Sequence, residues 1–481
     1  MTSPRPFTRS LPVLAAAAML MAGCTVGPDY HRPDLKLTAA YVAAPSGPPA
    51  PGQLGDGWWA AFGDPGLTRV VERAQAQNLD LEQARARLLQ SRAAARAAGA
   101  ALLPQAPTGA AVADERQSLL SPVGDLAQHL PGFERDLDVY DVGAAASWEI
   151  DLFGGLRRQR DAAVADARAA HAQADAVRLS IAAEAADAYL QVRAAQGRLA
   201  VARRQEGVEQ DLVALLTRRS NDGVSSEREL HAGQAALEGV RASIPPLSAA
   251  LDAELNRLDV LMGAQPGTWR AELQAAAPMP APPVIAAGDG PADLLRRRPD
   301  VAAAEQRLIA ADARIGAAIA DYYPKLSISG LLGVESIDSS RLFVADAVQH
   351  QVGAGLSWRL FDFGRVGAEV AGARGGEAEA LAAYRAAVLH AAEEVEDSFS
   401  DLRQQQLRAA ALSRQIDQLT LARRQAQDAY ASGAVSLIEV RDADRDLLTA
   451  SDQLVQAQAG AARAAVAACR ALGGGWTAPT A

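Results

Sequence analysis

Six histidines, two cysteines and many carboxylates are the side chains in this 481-residue chain that could do chemistry. His31, His129, His171, His231, His350 and His390 are scattered, and none stands at metal-ligand spacing from another His or Cys. Glu393-Glu394 with Glu396-Asp397 is a carboxylate cluster that could host an acid–base pair. On a helix such a run reads instead as a solvated polar face, because acid–base work needs two carboxyls set across a substrate. No Gly-x-Ser-x-Gly elbow is present. Neither a Walker lysine motif nor a glycine run after a strand occurs, and Gly473-Gly474-Gly475 reads as a terminal spacer. The residues therefore predict no cofactor, no metal, no catalytic site and no enzyme. A formal charge of −10 and a pI near 5.3 disfavour a nucleic-acid partner.

One cysteine has a clear chemical context. Arg5 and Arg9 precede an apolar stretch from Leu11 to Ala22, which has the length of a signal-peptide core and is too short to span a bilayer. It ends in Leu20-Met21-Ala22-Gly23-Cys24, similar to a bacterial lipoprotein box. That similarity implies cleavage before Cys24 and acylation of its thiol. Thr25 is not Asp, which by lipoprotein precedent favours the outer membrane over the inner. Cys469 is then left without a partner and reads as a small helix residue.

The elements that must carry such an anchored chain occur twice. Ser147-Trp148-Glu149-Ile150-Asp151-Leu152-Phe153-Gly154 matches Ser357-Trp358-Arg359-Leu360-Phe361-Asp362-Phe363-Gly364 at an offset of 210. The same offset pairs Glu184 with Glu394, Tyr189 with Phe399, Gly223 with Gly433, and Ser226 with Ser436. Upstream, Arg87-Leu88 and Pro104 match Arg307-Leu308 and Pro324 at an offset of 220. A constant offset over roughly 80 residues means two structural repeats.

Each repeat predicts a helix, two strands and a long helical hairpin. The first helix is read over Leu67–Leu103 and its counterpart from Pro299 to Tyr322. From Tyr140 to Leu152 apolar residues fall on even positions, and Leu326–Val334 and Val352–Leu360 repeat that period of two. A weaker strand lies around Thr108–Asp114. Their length and alternation suit transmembrane strands, whereas a soluble sandwich would show the same alternation. Four strands cannot close a barrel, and an open edge in lipid leaves backbone groups unpaired. Strands that enter the membrane must therefore be pooled between chains. The stretches Phe153–Gly223 and Phe363–Gly433 lack proline and read as helices of roughly 100 Å. Return helices follow through Leu230–Met262 and Val440–Leu472, the first of which Pro245-Pro246 must kink or split. The 49% hydrophobic content with only 5% aromatics suits closely packed Ala-rich helices, and a mean hydropathy of −0.03 excludes a polytopic helical membrane protein.

In order and spacing these pieces resemble the outer-membrane factor, or TolC-like, family of tripartite efflux systems, and within it the lipid-anchored NodT-type branch. The resemblance rests on Val26-Gly27-Pro28-Asp29-Tyr30 with Arg32-Pro33, Trp58-Trp59 with Phe62, Asp64-Pro65 and Leu67, and Asn78-Leu79-Asp80-Leu81. It rests also on Arg297-Arg298-Pro299-Asp300-Val301, Tyr323-Pro324 and Phe361-Asp362-Phe363-Gly364. It implies a mostly α fold with a transmembrane β part: a homotrimer sharing a twelve-stranded barrel, four strands per chain, above a long α-helical barrel. It implies a passive export channel in the outer membrane of a Gram-negative bacterium, extending into the periplasm. A periplasmic adaptor and an inner-membrane pump of the RND type would be its partners. In such a family the turn from Tyr430 to Ala443 forms the gate, with Ile438 and Asp442 at the constriction as an apolar and an anionic ring. Arg441 departs from the hydrophobic residue more usual there and offers an ionic bridge to Asp442 of a neighbouring chain. Asp442 corresponds to Ala232 in the first repeat. The competing reading is a non-conducting lipoprotein that tethers the envelope.

The expected boundaries follow. Residues 1–23 form the signal and 24–66 the anchored segment. Residues 67–104 form the first helix, 105–153 a membrane hairpin and 154–262 a helical hairpin. A linker occupies 263–298. The second repeat then runs 299–324, 325–364 and 365–472, before a tail at 473–481.

Overall fold

A computed structural model describes residues 25–38, 40–43, 57–285, 290–292 and 297–474. Cys24 and the signal segment lie outside the described residues. The order is α1 (Pro65–Gln77), α2 (Leu79–Ala100), β1 (Thr108–Arg116), α3 (Pro122–Ala127), β2 (Asp136–Ile150), α4 (Gly155–Asn221), α5 (Glu227–Leu261) and α6 (Arg270–Leu273). It continues with α7 (Pro299–Ala320), β3 (Lys325–Ser336), β4 (Val348–Ser357), α8 (Arg365–Ala431) and α9 (Leu437–Ala471). The duplication is exact in the long helices: α4 and α8 have 67 residues each and α5 and α9 have 35 each. No helix among the described residues is long and apolar enough to cross a membrane.

The chain forms two compact units. One comprises Leu89–Arg168, Gln306–Ala382 and the segment up to Pro33. Its centre is an antiparallel sheet of order β1-β2-β3-β4. Opposite residues share a face in such a sheet. Val142 opposes Val334, Ala144 opposes Leu332, and Trp148 opposes Ile328. Ile328 in turn opposes Ala354, and Leu326 opposes Leu356. One face is thus apolar over the central pairs; His350 interrupts it opposite Leu332, and toward one end the same face carries Asp114 opposite Asp138 and Arg116 opposite Asp136. The other carries small and polar residues such as Gly143, Ser147, Ser327, Ser329, Gly353 and Gly355. β1 and β4 each pair on one side only.

β4 ends at Ser357, short of the predicted Leu360. Its only partner, β3, begins at Lys325 opposite Ser357, so the next residues have no strand to pair with, and the Trp358 indole N–H donates to the Tyr322 carbonyl at 3.0 Å. The Asp362 carboxylate then accepts from the Gly364 and Val366 amides to start α8. Trp148 makes the equivalent bond to the Leu102 carbonyl, also at 3.0 Å. The segment after Cys24 packs at the end of β2: the Val26 amide donates to the Phe153 carbonyl at 3.1 Å, and Arg158 pairs with Asp29 at 2.9 Å.

The other unit comprises Asp34–Leu88, Ala169–Glu305 and the chain from Ala383 onward. The single first helix read over Leu67–Leu103 is in fact broken at Asn78, whose backbone is extended with ψ 130°. Its side chain accepts from the Asp80 and Leu81 amides and donates to the Leu261 carbonyl at 3.0 Å. That self-capping ends one helix and starts the next. At the equivalent position of the second repeat Arg298 donates to the Ala471 carbonyl and pairs with Asp300 and Glu394. Pro245-Pro246 do not split α5, which continues through them as helix. The prolines remove two amide donors, but the cost is not enough to end a helix that packs through Leu237, Val240, Leu255 and Leu258.

Within this unit α4 lies along α9. Asp187 pairs with Arg463 at 2.6 Å, and Arg198 with Asp452 at 2.8 Å. Between them a Cβ added to Gly197 would stand 3.0 Å from Val455, so the glycine permits a close approach. Ala457, Ala461, Ala464, Ala465 and Ala468 are buried on α9, where small side chains let helices approach closely. Cys469 is buried among them, and burial pushes its thiol up to about 12.

Candidate gate at the helix turns

The two helical hairpins reverse at Gly223 and Gly433, with φ of 73° and 77°. This left-handed backbone is easily adopted only by glycine. Ser226 then caps α5 with a complete capping box: the Glu229 amide donates to the serine hydroxyl, and the Glu229 carboxylate accepts from the Ser226 amide. Ser436 stands at the same place before α9 but makes no side-chain cap bond.

Ile438 and Asp442 lie one turn apart on α9, both exposed. Their spacing puts them on one helix face. Asp442 pairs with Arg445 at 3.4 Å. Arg441 turns away from that face, toward Glu209 on α4 of its own chain, at 3.8 Å. The separation is an ion pair but too long for a hydrogen bond, and Arg441 Nε and Glu209 Oε2 are buried without a hydrogen-bond partner. Burial raises the Glu209 carboxyl above the usual carboxylate range; Arg441 pulls it back and Asp444 adds to the rise. Asp444 itself pairs with Arg423 on α8. Tyr430, at the end of α8, accepts a hydrogen bond from Arg219 on α4, whose guanidinium lies 5.7 Å from the ring centroid. Gln205, Glu209, Val240, Ser243, Ile438, Arg441, Asp442 and Arg445 border a cleft of about 530 Å³.

Of the four residues the resemblance placed at the turn, Ile438, Asp442 and Arg441 share this cleft, while Tyr430 belongs to a separate contact. Glu209, Arg219 and Arg445 fell outside that reading. Arg445 was accessible, since it stands three residues after Asp442 on a helix. Glu209 and Arg219 were not, because no local spacing announces that α4 packs against α9 and the end of α8.

A duplicated helix–strand–strand–hairpin unit around a four-stranded open sheet is the architecture of an outer-membrane channel subunit. Residues 70–264 and 290–474 match the family described as outer membrane efflux protein. The chain is 32% identical over 421 residues to the pyoverdine export outer membrane protein OpmQ of Pseudomonas putida, covering 88% of each. It is 27% identical over 472 residues to nodulation protein T of Rhizobium leguminosarum bv. viciae, covering 97% of this chain and 94% of that protein. The solved outer-membrane channel OprN is 35% identical with a TM-score of 0.84, covering 94% of this chain and 99% of that one. The chain belongs to the outer membrane efflux protein family.

Proposed function

We propose that this chain is the outer-membrane duct of a tripartite efflux system, through which substrate delivered by a periplasmic adaptor and an RND-type inner-membrane pump leaves the cell passively. The observation that carries this reading is the sheet: four strands, one face apolar over its central pairs, and an unpaired edge at each end. In lipid such a sheet must be closed by further copies; three would give twelve strands. The long hairpins then supply the wall of a periplasmic tube. Acylated Cys24 anchors the chain in the outer membrane. Thr25, the residue after it, supports this reading because it lies against Gly154 where β2 gives way to α4.

In this reading the turn of the second repeat is the gate. Ile438 would form an apolar ring and Asp442 an anionic ring, the latter favouring cations. Arg441 holds the turn by its pairing with Glu209, and Tyr430 holds it through Arg219. The test is single-channel conductance of the purified full-length protein in planar bilayers, with Asp442→Ala alongside. A trimer that conducts, and conducts more when Asp442 is neutralised, is expected. A protein that never conducts in either form would leave the tether reading in its place.

A further inference from the structure

The offset that relates the repeats falls from 220 before the loop joining β1 to β2, residues 117–135, to 210 after it. The extra residues of the first repeat therefore lie in that loop, and α3 lies there with them. β1 and β3 end at matching positions, Arg116 and Ser336. This loop and the shorter one between β3 and β4, residues 337–347, thus spring from equivalent places in the two repeats. The longer loop is firmly built. The Gln117 amide donates to the Arg135 carbonyl at 2.8 Å, and Arg135 Nε donates to the Gln117 carbonyl at 3.1 Å, which closes its neck. Ser121 caps α3 by accepting from the Gly124 amide. A Cβ added to Gly124 would stand 1.9 Å from the Ser118 carbonyl oxygen, so the turns pack tightly.

This well-formed loop nevertheless turns its apolar side chains outward. Leu120 is 97% exposed and Val123 68%, and Leu126 and Leu130 are exposed with them. Spacings of three and four put the four on one side of α3 and its flanks. Together they make a patch on the order of a few hundred Å², the size at which exposed patches mark interaction sites. Lipid does not cover it in the reading above, because the charged pairs Asp114–Asp138 and Arg116–Asp136 lie on the outward face between the apolar pairs and the loop. The chain's own second loop leaves it uncovered as well, and leaves its own Phe343 78% exposed.

The neighbour that remains is a second copy. Leu120 and Val123 stand on the limb that leaves β1, and Phe343 on the limb that enters β4. β1 and β4 are the two open edges of the sheet, so in a pooled barrel these limbs face each other across the seam between copies. Their charges are complementary: Asp125 is exposed near Val123 on α3, and Arg341 is exposed near Phe343. We infer that the first hairpin loop is a docking surface for a second copy, on which Phe343 of one protomer seats against Leu120 and Val123 of the partner subunit, with Arg341 beside Asp125 of the partner subunit. Repeated around the ring, the contact makes a collar at the end of the barrel away from α4 and α8. The inference rests on the pooled-barrel reading above and adds an interface outside the strands.

Cross-linking of the full-length protein in the outer membrane of intact cells tests it, with Val123→Cys and Phe343→Cys combined in a Cys469→Ala background. A short bismaleimide that does not cross membranes should give covalent dimers and trimers, about tenfold more than either single variant. Equal linking by the Val123→Cys variant alone would mean that like patches meet one another. A link within one chain, or no link in an intact trimer, would mean that the patch is turned elsewhere. Each of these results overturns the collar. A charge swap gives a second readout, since both positions are exposed and the folded chain tolerates the change. Phe343→Asp and Val123→Asp should each shorten the trimer's lifetime in detergent by roughly tenfold, because lost contacts show in the off-rate. Phe343→Asp with Val123→Lys should restore it. A trimer indifferent to these changes overturns the collar and leaves the pooled barrel standing, whereas an unmodified protein that is monomeric on native sizing overturns both.

Discussion

The turns at Gly223 and Gly433 share backbone, length and a following serine, yet they are held differently. The first is closed locally by the Ser226–Glu229 capping box. The second lacks that cap and is held by long-range partners, Arg441 with Glu209 and Asp444 with Arg423, while Arg219 of the first turn donates to Tyr430 and ties the two together. At the positions of Ile438, Arg441 and Asp442 the first repeat has Arg228, His231 and Ala232. A similar divergence sits where the repeats begin, with Asn78 bonding the end of α5 and Arg298 the corresponding end of α9. Duplication preserved the backbone, while the side chains that hold each copy diverged.

The comparison can be broken most strongly at Arg298. Its removal leaves Glu394 and the Ala471 carbonyl without that partner, so Arg298→Ala should cost about 3 kcal/mol, read as a lower thermal midpoint; Asn78→Ala should cost about 1–2 kcal/mol. At the second turn, Arg441→Glu sets two acids against each other. It should raise mean conductance in planar bilayers several-fold, whereas His231→Glu at the matching site of the first turn should leave it unchanged. A smaller effect is expected from Glu209. Its raised carboxyl favours the protonated form in the packed turn, so the packing is unpenalised below the ordinary carboxylate range and loosens as pH rises through the raised value. Hydrogen exchange near Gly433 should therefore quicken with pH beyond its intrinsic rate, and Glu209→Gln should flatten that excess. Last, Ser226→Ala should cost roughly 1 kcal/mol of local stability by exchange at the start of α5, and Ser436→Ala almost none.

Much of the fold was legible because the duplication prints itself as constant offsets. Trp148 and Trp358 mark two strand ends, and Gly223 and Gly433 mark two reversals, whatever the chain does between them. The alternation at Leu326–Val334 fixed the faces of a strand before any partner was known. Asn78 was not legible as a break, because Asn is tolerated inside helices and only its bond to the Leu261 carbonyl makes it a hinge. Nor did periodicity show where β4 stops, since Trp358 and Leu360 continue the alternation beyond Ser357, where its only partner β3 begins at Lys325. At the candidate gate the residue types were readable along α9. Their electrostatic partners, Glu209 and Arg219, lie on another helix and required the packing to be seen.

Burial of Cys469 gives the molecule a silent internal probe. A thiol held near 12 by burial offers almost no thiolate at neutral pH. An alkylating reagent will label it only when the alanine-lined end of α9 comes loose. The rate of labelling thus times the opening of the helical layer itself, without any engineered tag.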